Sequence, residues 1–288
     1  MDRINRSAQK LIVSMFIFGT IGVVRRFIPM TSATIAVARG LVGAAFLLLL
    51  TFAMKKKPDR VAIRGNLALL LISGALMGVN WIALFEAYNF TSVAVATLCY
   101  YMAPVFVILL SAPVLGEKLT ARKMLCVGAA LVGMVLVSGV LDGGGGGSLA
   151  GVLLGLLAAV LYAGVILMNK KMKPMPGLDR SILQLAAAGV ILLPYALLVG
   201  GGGEVTPTAL ALLAVVCIVH TGLAYALYFG SMEGLPAHTI ALLSYIDPVV
   251  AVLLSAVLLR EPISVRTVLG AELILGAAAA AELNAESE

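Results

Sequence analysis

The chain has 288 residues, of which 61% are hydrophobic and 12% charged, with a mean hydropathy of +1.09. Soluble domains carry about 25% charged and about 45–50% apolar residues, so a water-soluble globular protein is excluded and a lipid solvent is implied. The net charge of +6 comes from Lys and Arg in short clusters between apolar runs, a pattern of membrane orientation and not of nucleic-acid binding.

In chain order, apolar runs predict ten membrane-spanning helices near residues 11–28, 33–54, 66–88, 92–114, 122–140, 149–169, 181–199, 208–230, 237–259 and 265–283. Proline, glycine and charge punctuate them: KKKPDR (55–60), NFTS (89–92), GEKLT (116–120), DGGGGGS (142–148), GGGGEVTPT (200–208), EGLP (233–236) and REPIS (260–264). The basic N-terminal region ahead of the first run resembles a signal peptide, but nine further spans favour an uncleaved helix. Arg25 and Arg26 follow the first apolar run, where they snorkel to the interface or face a cavity. The pentaglycine at 143–147 lacks the G-K-[ST] ending of a nucleotide loop and reads as a flexible linker. Cys99, Cys126 and Cys217 are single and lie in apolar stretches, so neither a disulfide framework nor a metal site is expected, and no cofactor.

A cytoplasmic N-terminus places 15 of the 20 Lys and Arg on the inside. Only Arg25, Arg26, Arg260 and Arg266 then fall outside, and Arg39 stays within the second span. The positive-inside rule selects this orientation. Ten spans return the acidic C-terminal tail (Glu282, Glu286, Glu288) to the cytoplasm, giving a multi-pass protein of the cytoplasmic membrane.

The two halves repeat. Residues 98–122 read LCYYMAPVFVILLSAPVLGEKLTAR, and residues 242–266, displaced by 144, read LLSYIDPVVAVLLSAVLLREPISVR, with 11 of 25 positions identical. The matches include Tyr101/Tyr245, Pro104/Pro248, Glu117/Glu261 and Arg122/Arg266, and Arg25-Arg26 is nearly matched by Lys170-Lys171. Five spans per half, an odd number, turn the second half upside down. The expected fold is therefore an all-α integral membrane protein of two inverted five-helix repeats, about 11–140 and 149–283, forming one transport domain over 1–288. Inverted repeats recur in secondary transporters, with substrate bound near the midplane.

The repeated pattern Y-x-x-P-V-x-x-x-L-L-S-A-x-x-L-x-E resembles the EamA group of the drug/metabolite transporter superfamily. The likeness runs over essentially the whole chain and is strongest at 80–120 and 241–264. It implies a bacterial inner-membrane carrier, frequently an exporter of amino acids or other small metabolites. One departure is Phe18-Gly19, where many relatives have Trp-Gly.

Ionisable groups inside a bilayer usually face the bundle interior or a water-filled path. Arg39 suits a substrate carboxylate through its bidentate fork; the alternative is a structural ion pair with Glu86 or Asp247. Asp247, directly before Pro248, suits a substrate ammonium or a coupling proton, and the family resemblance also allows it a packing role. Glu86 shares its span with Trp81 and is a further acidic candidate or a solvated interface residue. Tyr101 and Tyr245, each three residues before its proline, line a cavity or form a hinge with Pro104 and Pro248. Trp81 and the tyrosines suit an apolar or cationic substrate, while Tyr88 is expected in an interfacial aromatic belt. His220 is expected as a satisfied helix-interface histidine, Glu272 as a residue of a small-residue packing surface, and Glu117 and Glu261 as caps of the helices that follow them.

No ATP-binding motif is present, so a proton, ion or substrate gradient is the expected driving force. Hydrolase motifs are also missing, and an enzyme is not expected. The leading reading is a secondary active transporter exporting amino acids or organic amines by alternating access, with a proton as candidate coupling ion. The alternative is a flippase for a lipid or lipid-linked substrate.

Overall fold

The computed structural model describes residues 2–117, 119–138, 148–199, 205–232, 235 and 237–285. The pentaglycine linker and the last residues of the acidic tail, 286–288, lie outside these, as does the side chain of Glu282. The described residues are helical, without strands: α1 (Asp2–Arg26), α2 (Ser32–Ala53), α3 (Arg60–Phe90), α4 (Val93–Tyr100), α5 (Ala103–Leu115), α6 (Ala121–Val137), α7 (Leu149–Lys171), α8 (Gly177–Val199), α9 (Pro207–Cys217), α10 (Ala224–Met232), α11 (Ala237–Ser244), α12 (Ile246–Leu258) and α13 (Val265–Ala285). A single π turn, Ile218–Leu223, joins α9 to α10.

Among the described residues, seven stretches are long and apolar enough to cross a membrane: Arg6–Arg26, Ser32–Ala53, Arg60–Phe90, Val93–Leu115, Leu149–Lys171, Gly177–Val199 and Pro207–Ser231. The other three expected spans are helical but outside that set: 122–140 falls on α6, 237–259 on α11 and α12, and 265–283 on α13. Helix starts follow from local chemistry. Thr31, Ser92, Thr120, Ser148 and Thr206 each accept a backbone N–H of the first turn through the side-chain hydroxyl. The third helix begins at Arg60, six residues before its apolar run, because Asp59 accepts from the amides of Val61 and Ala62.

The repeated prolines do more than kink. In the first half the chain leaves helix at Tyr101 and Met102 and restarts at Ala103, with Pro104 in the first turn of α5. In the second half α11 ends at Ser244 and α12 starts at Ile246, with Pro248 in its first turn. Proline has no N–H to donate, and the first helical turn needs none, so each proline is accommodated at a fresh helix start.

Close packing relies on glycine at two crossings. Helices α2 and α8 meet where a Cβ on Gly40 would lie 2.7 Å from the Gly189 nitrogen. Helices α6 and α13 meet where a Cβ on Gly133 would lie 2.7 Å from the Gly270 carbonyl oxygen. Helix α1 packs on α10 and α12, and α7 packs on α3 and α5. This arrangement leaves a cavity between α1, α2, α3, α7, α8, α10 and the breaks before α5 and α12.

Candidate functional site

The central cavity has a volume of about 610 Å3. That is within the range of about 300–1,000 Å3 that accommodates small organic ligands. Five of the six predicted binding residues line it: Arg39, Trp81, Tyr101, Tyr245 and Asp247, with Pro104 beside them. Pro248 is buried one residue on.

Arg39 is 6% exposed and lies in the middle of α2. Its Nε donates to Thr221 Oγ1 at 2.7 Å, and its guanidinium lies 4.1 Å from the Trp81 ring centroid. Thr221 in turn donates to the Val216 carbonyl at 3.1 Å, a bond spanning the π turn. Stacking on an indole face and one fixed hydrogen bond hold the plane of the fork. Among the described residues only Nε of this guanidinium has a hydrogen-bond partner, so the two terminal nitrogens are available to a ligand. No carboxylate lies within ion-pair distance of Arg39 among the described residues, so the alternative of a structural pair with Glu86 or Asp247 is not formed.

Asp247 occupies the first turn of α12, where the helix N-terminus favours negative charge. Its Oδ2 accepts from the Tyr101 hydroxyl at 2.8 Å, and the same hydroxyl lies 3.5 Å from the Ser244 carbonyl. Tyr101 therefore stitches the break before α5 to the break before α12. The rings of Tyr101 and Tyr245 are 6.4 Å apart between centroids, and Tyr100 packs on both Tyr101 and Tyr162.

Seven of the eight tyrosines line this cavity, together with the single tryptophan. The tyrosine and tryptophan content is thus gathered around the central cavity and not in interfacial girdles. Tyr88, expected in such a girdle, is instead 2% exposed, lies 3.4 Å from Thr97 and lines the cavity.

Glu86 is the predicted residue that the structure places elsewhere. It lines a second cavity of about 580 Å3 with Arg25, Thr31, Asn89 and Tyr195, and accepts from Asn89 at 3.0 Å. Its position five residues beyond Trp81 turns it to another side of α3. Arg25 is buried and donates to the Ile28 carbonyl and the Ser32 hydroxyl, both at 3.1 Å, fixing the turn between α1 and α2.

His220 is satisfied on both nitrogens, by Thr20 at 2.8 Å and the Val215 carbonyl at 3.3 Å. Glu272 is exposed on α13. The side chain of His238 lies outside the described residues.

Sequence reading missed Thr221 and the partners of Gln184 in a polar cluster on the cavity wall. There Gln184 donates to Ser73 at 2.7 Å and to Asn169 at 2.8 Å, with Ser181 and Arg180 also lining the cavity. Gln184 was marked in the sequence as the repeat counterpart of Arg39, at an offset of 145, but nothing there pointed to Ser73 and Asn169 as its partners.

A profile of the EamA-like transporter family matches residues 7–139 and matches again at 149–281. The chain belongs to the EamA-like transporter family. Among its relatives, an uncharacterized transporter, YxxF, from Bacillus subtilis is 28% identical over 253 residues, covering 86% of this chain and 80% of that protein. An uncharacterized transporter from Archaeoglobus fulgidus is 25% identical over 92% of each chain. Protein PecM from Dickeya dadantii is 28% identical over 72% of this chain and 71% of its own length. One solved crystal structure superposes with a TM-score of 0.64 over 98% of each chain at 20% identity, which shows a shared fold alone. EamA membership makes this a multi-pass membrane protein of a transporter family rather than an enzyme, with a small-molecule substrate and a bilayer as its surroundings.

Proposed function

We propose that this protein is a secondary active transporter of the cytoplasmic membrane that exports amino acids or related small zwitterionic metabolites by alternating access. The observation that carries the proposal is the central cavity. It presents the free fork of Arg39 and the carboxylate of Asp247 among tyrosine rings. Arg39 holds the substrate carboxylate and Asp247 its ammonium group or a coupling proton, while Trp81, Tyr101 and Tyr245 enclose the apolar part. Arg39 is thus a binding residue on this reading, and Glu86 borders the outer vestibule.

The scaffold reading is ten spans in two inverted repeats, one transport domain with both termini cytoplasmic. Support comes from the packing: α1 contacts α12 as α7 contacts α5, α1 contacts α10 as α7 contacts α3, and α2–α8 and α6–α13 are each paired with themselves under exchange of halves. The two breaks before Pro104 and Pro248 act as hinges beside the substrate.

The test is a thermal-shift screen of the purified protein against amino acids, amines, nucleosides and organic cations, followed by flux in proteoliposomes. A ligand at 100-fold its dissociation constant stabilises the folded state by about 2.7 kcal/mol. Zwitterionic amino acids are expected to stabilise the wild type but not Arg39→Ala. Stabilisation by lipid-linked substrates alone would overturn the reading in favour of a flippase.

A further inference from the structure

Among the described residues, two ion pairs that join the halves are copies of each other. Arg26 Nη2 lies 3.3 Å from Glu261 Oε1, and Lys170 Nζ lies 3.4 Å from Glu117 Oε1. Glu117 and Glu261 are 144 residues apart, and so are Arg26 and Lys170. In each pair the cation ends the first helix of one half and the carboxylate follows the repeated helix of the other.

The pairs sit at opposite ends of α3, a helix of 31 residues or about 46 Å. At one end Arg26 also donates to the carbonyl of Thr91, the residue that ends α3, at 2.7 Å. At the other end the segment just after Lys170 is tied to the start of α3. Lys173 N donates to Asn66 Oδ1 at 2.8 Å, and Asp59 N donates to Asp179 at 2.9 Å. The central cavity lies between, with Lys170 on its wall.

They differ in how firmly they are held. Glu261 is 13% exposed and accepts the Val93 amide through both oxygens, at 3.1 and 2.9 Å, so it caps α4 while pairing with Arg26. Lys170 and Glu117 are 49% and 39% exposed.

We propose that these pairs are reciprocal latches, one closing each end of the cavity, and that the transport cycle releases one while the other holds. This rests on the alternating-access reading above. In the present conformation the Arg26–Glu261 latch is the tighter, so the Lys170–Glu117 end is the first to open.

The test is a distance measurement by pulsed electron paramagnetic resonance on the full chain in nanodiscs. Spin labels go at F27C with V265C for one end and at L119C with K171C for the other. The background is C126A, since Cys99 and Cys217 are buried. Arg26→Gln breaks the first pair and leaves the Glu261 cap of α4 intact. It is expected to widen the F27C–V265C distribution and raise its open fraction about tenfold. Glu117→Gln is expected to widen the L119C–K171C distribution by about two- to fivefold, as for an exposed pair. The exchange K170E with E117K restores the narrow distribution. The exchange R26E with E261R does not, because an arginine cannot accept the Val93 amide.

Unchanged distributions in both single variants would overturn the latches. The readout requires no substrate, so it stands apart from the substrate assignment. Intact flux with unchanged distances sinks only the latches, and loss of a zwitterion hit sinks only the site.

Discussion

At the scale of single residues, the arrangement around Arg39 explains how a charge persists in an apolar helix. Burying an isolated cation is costly, and here no counter-charge is within ion-pair distance among the described residues. The indole face of Trp81, the Thr221 hydroxyl and the cavity itself share the compensation. Arg39→Lys keeps the charge and loses the planar fork, so substrate affinity is expected to fall about tenfold or more, measured by titration calorimetry. Asp247→Asn keeps a partner for Tyr101 and removes the negative charge. Flux driven by a pH gradient in proteoliposomes is expected to vanish while the protein still inserts and purifies as a folded species. Wild-type flux from this variant would remove Asp247 from the substrate path. Neither role was fully legible beforehand. The sequence exposed Arg39 and Asp247 as intramembrane charges, but Thr221 is one hydroxyl in the apolar string IVHTGL, and only the π turn aims it at Arg39. Glu86 fits the second of its two readings, a residue near the end of its span, because five residues of helix turn it away from the side of α3 that Trp81 presents to the cavity.

Helices and their ends carry the next set of consequences. The crossing of α2 and α8 leaves no room for a Cβ at Gly40. Gly40→Val is expected to destabilise the fold by about 1–3 kcal/mol through overpacking. Thermal unfolding followed by labelling of the buried thiols Cys99 and Cys217 reads this as a lowered midpoint. At the turn after α5, partial burial alone would raise the Glu117 pKa. The nearby Ser111 hydroxyl and the ammonium groups of Lys170 and Lys123 outweigh it, and the carboxyl is held below its ordinary value. A depressed carboxylate contributes its interaction above its ordinary pKa and loses it as pH falls through the lowered value. The Lys170–Glu117 pair is therefore expected to persist at neutral pH and to open only in acid below the usual carboxylate range, which pH titration of the L119C–K171C distance checks. Helix starts were largely readable, because Ser, Thr and Asp precede most of them. What capping rules could not supply was the partner of Glu261. Local reasoning assigned it to the next helix, whereas its carboxylate caps α4, 168 residues away in sequence.

For the molecule as a whole, the duplication was legible from proline, glutamate and arginine recurring at one offset, and the family match over 7–139 and 149–281 falls on the same halves. The grouping of Trp81 and most tyrosines around the repeated prolines was legible too, but the place of Tyr88 and Tyr162 in the same cavity was not, because residues spread over several helices converge only in three dimensions. The proposed orientation makes its own prediction. A membrane-impermeant thiol reagent applied to intact cells is expected to label V205C on a C126A background and to leave L119C unlabelled until the cells are opened. The opposite pattern would place the basic loops outside.

The π turn has a consequence for the cargo. Arg39 is met by a threonine from that turn, while its repeat partner Gln184 is met by Ser73 and Asn169. A chamber built from two equal halves would receive a passenger either way round. Here one position is a guanidinium and its counterpart an amide, so on the proposed reading a molecule with a head and a tail is expected to board in a single pose.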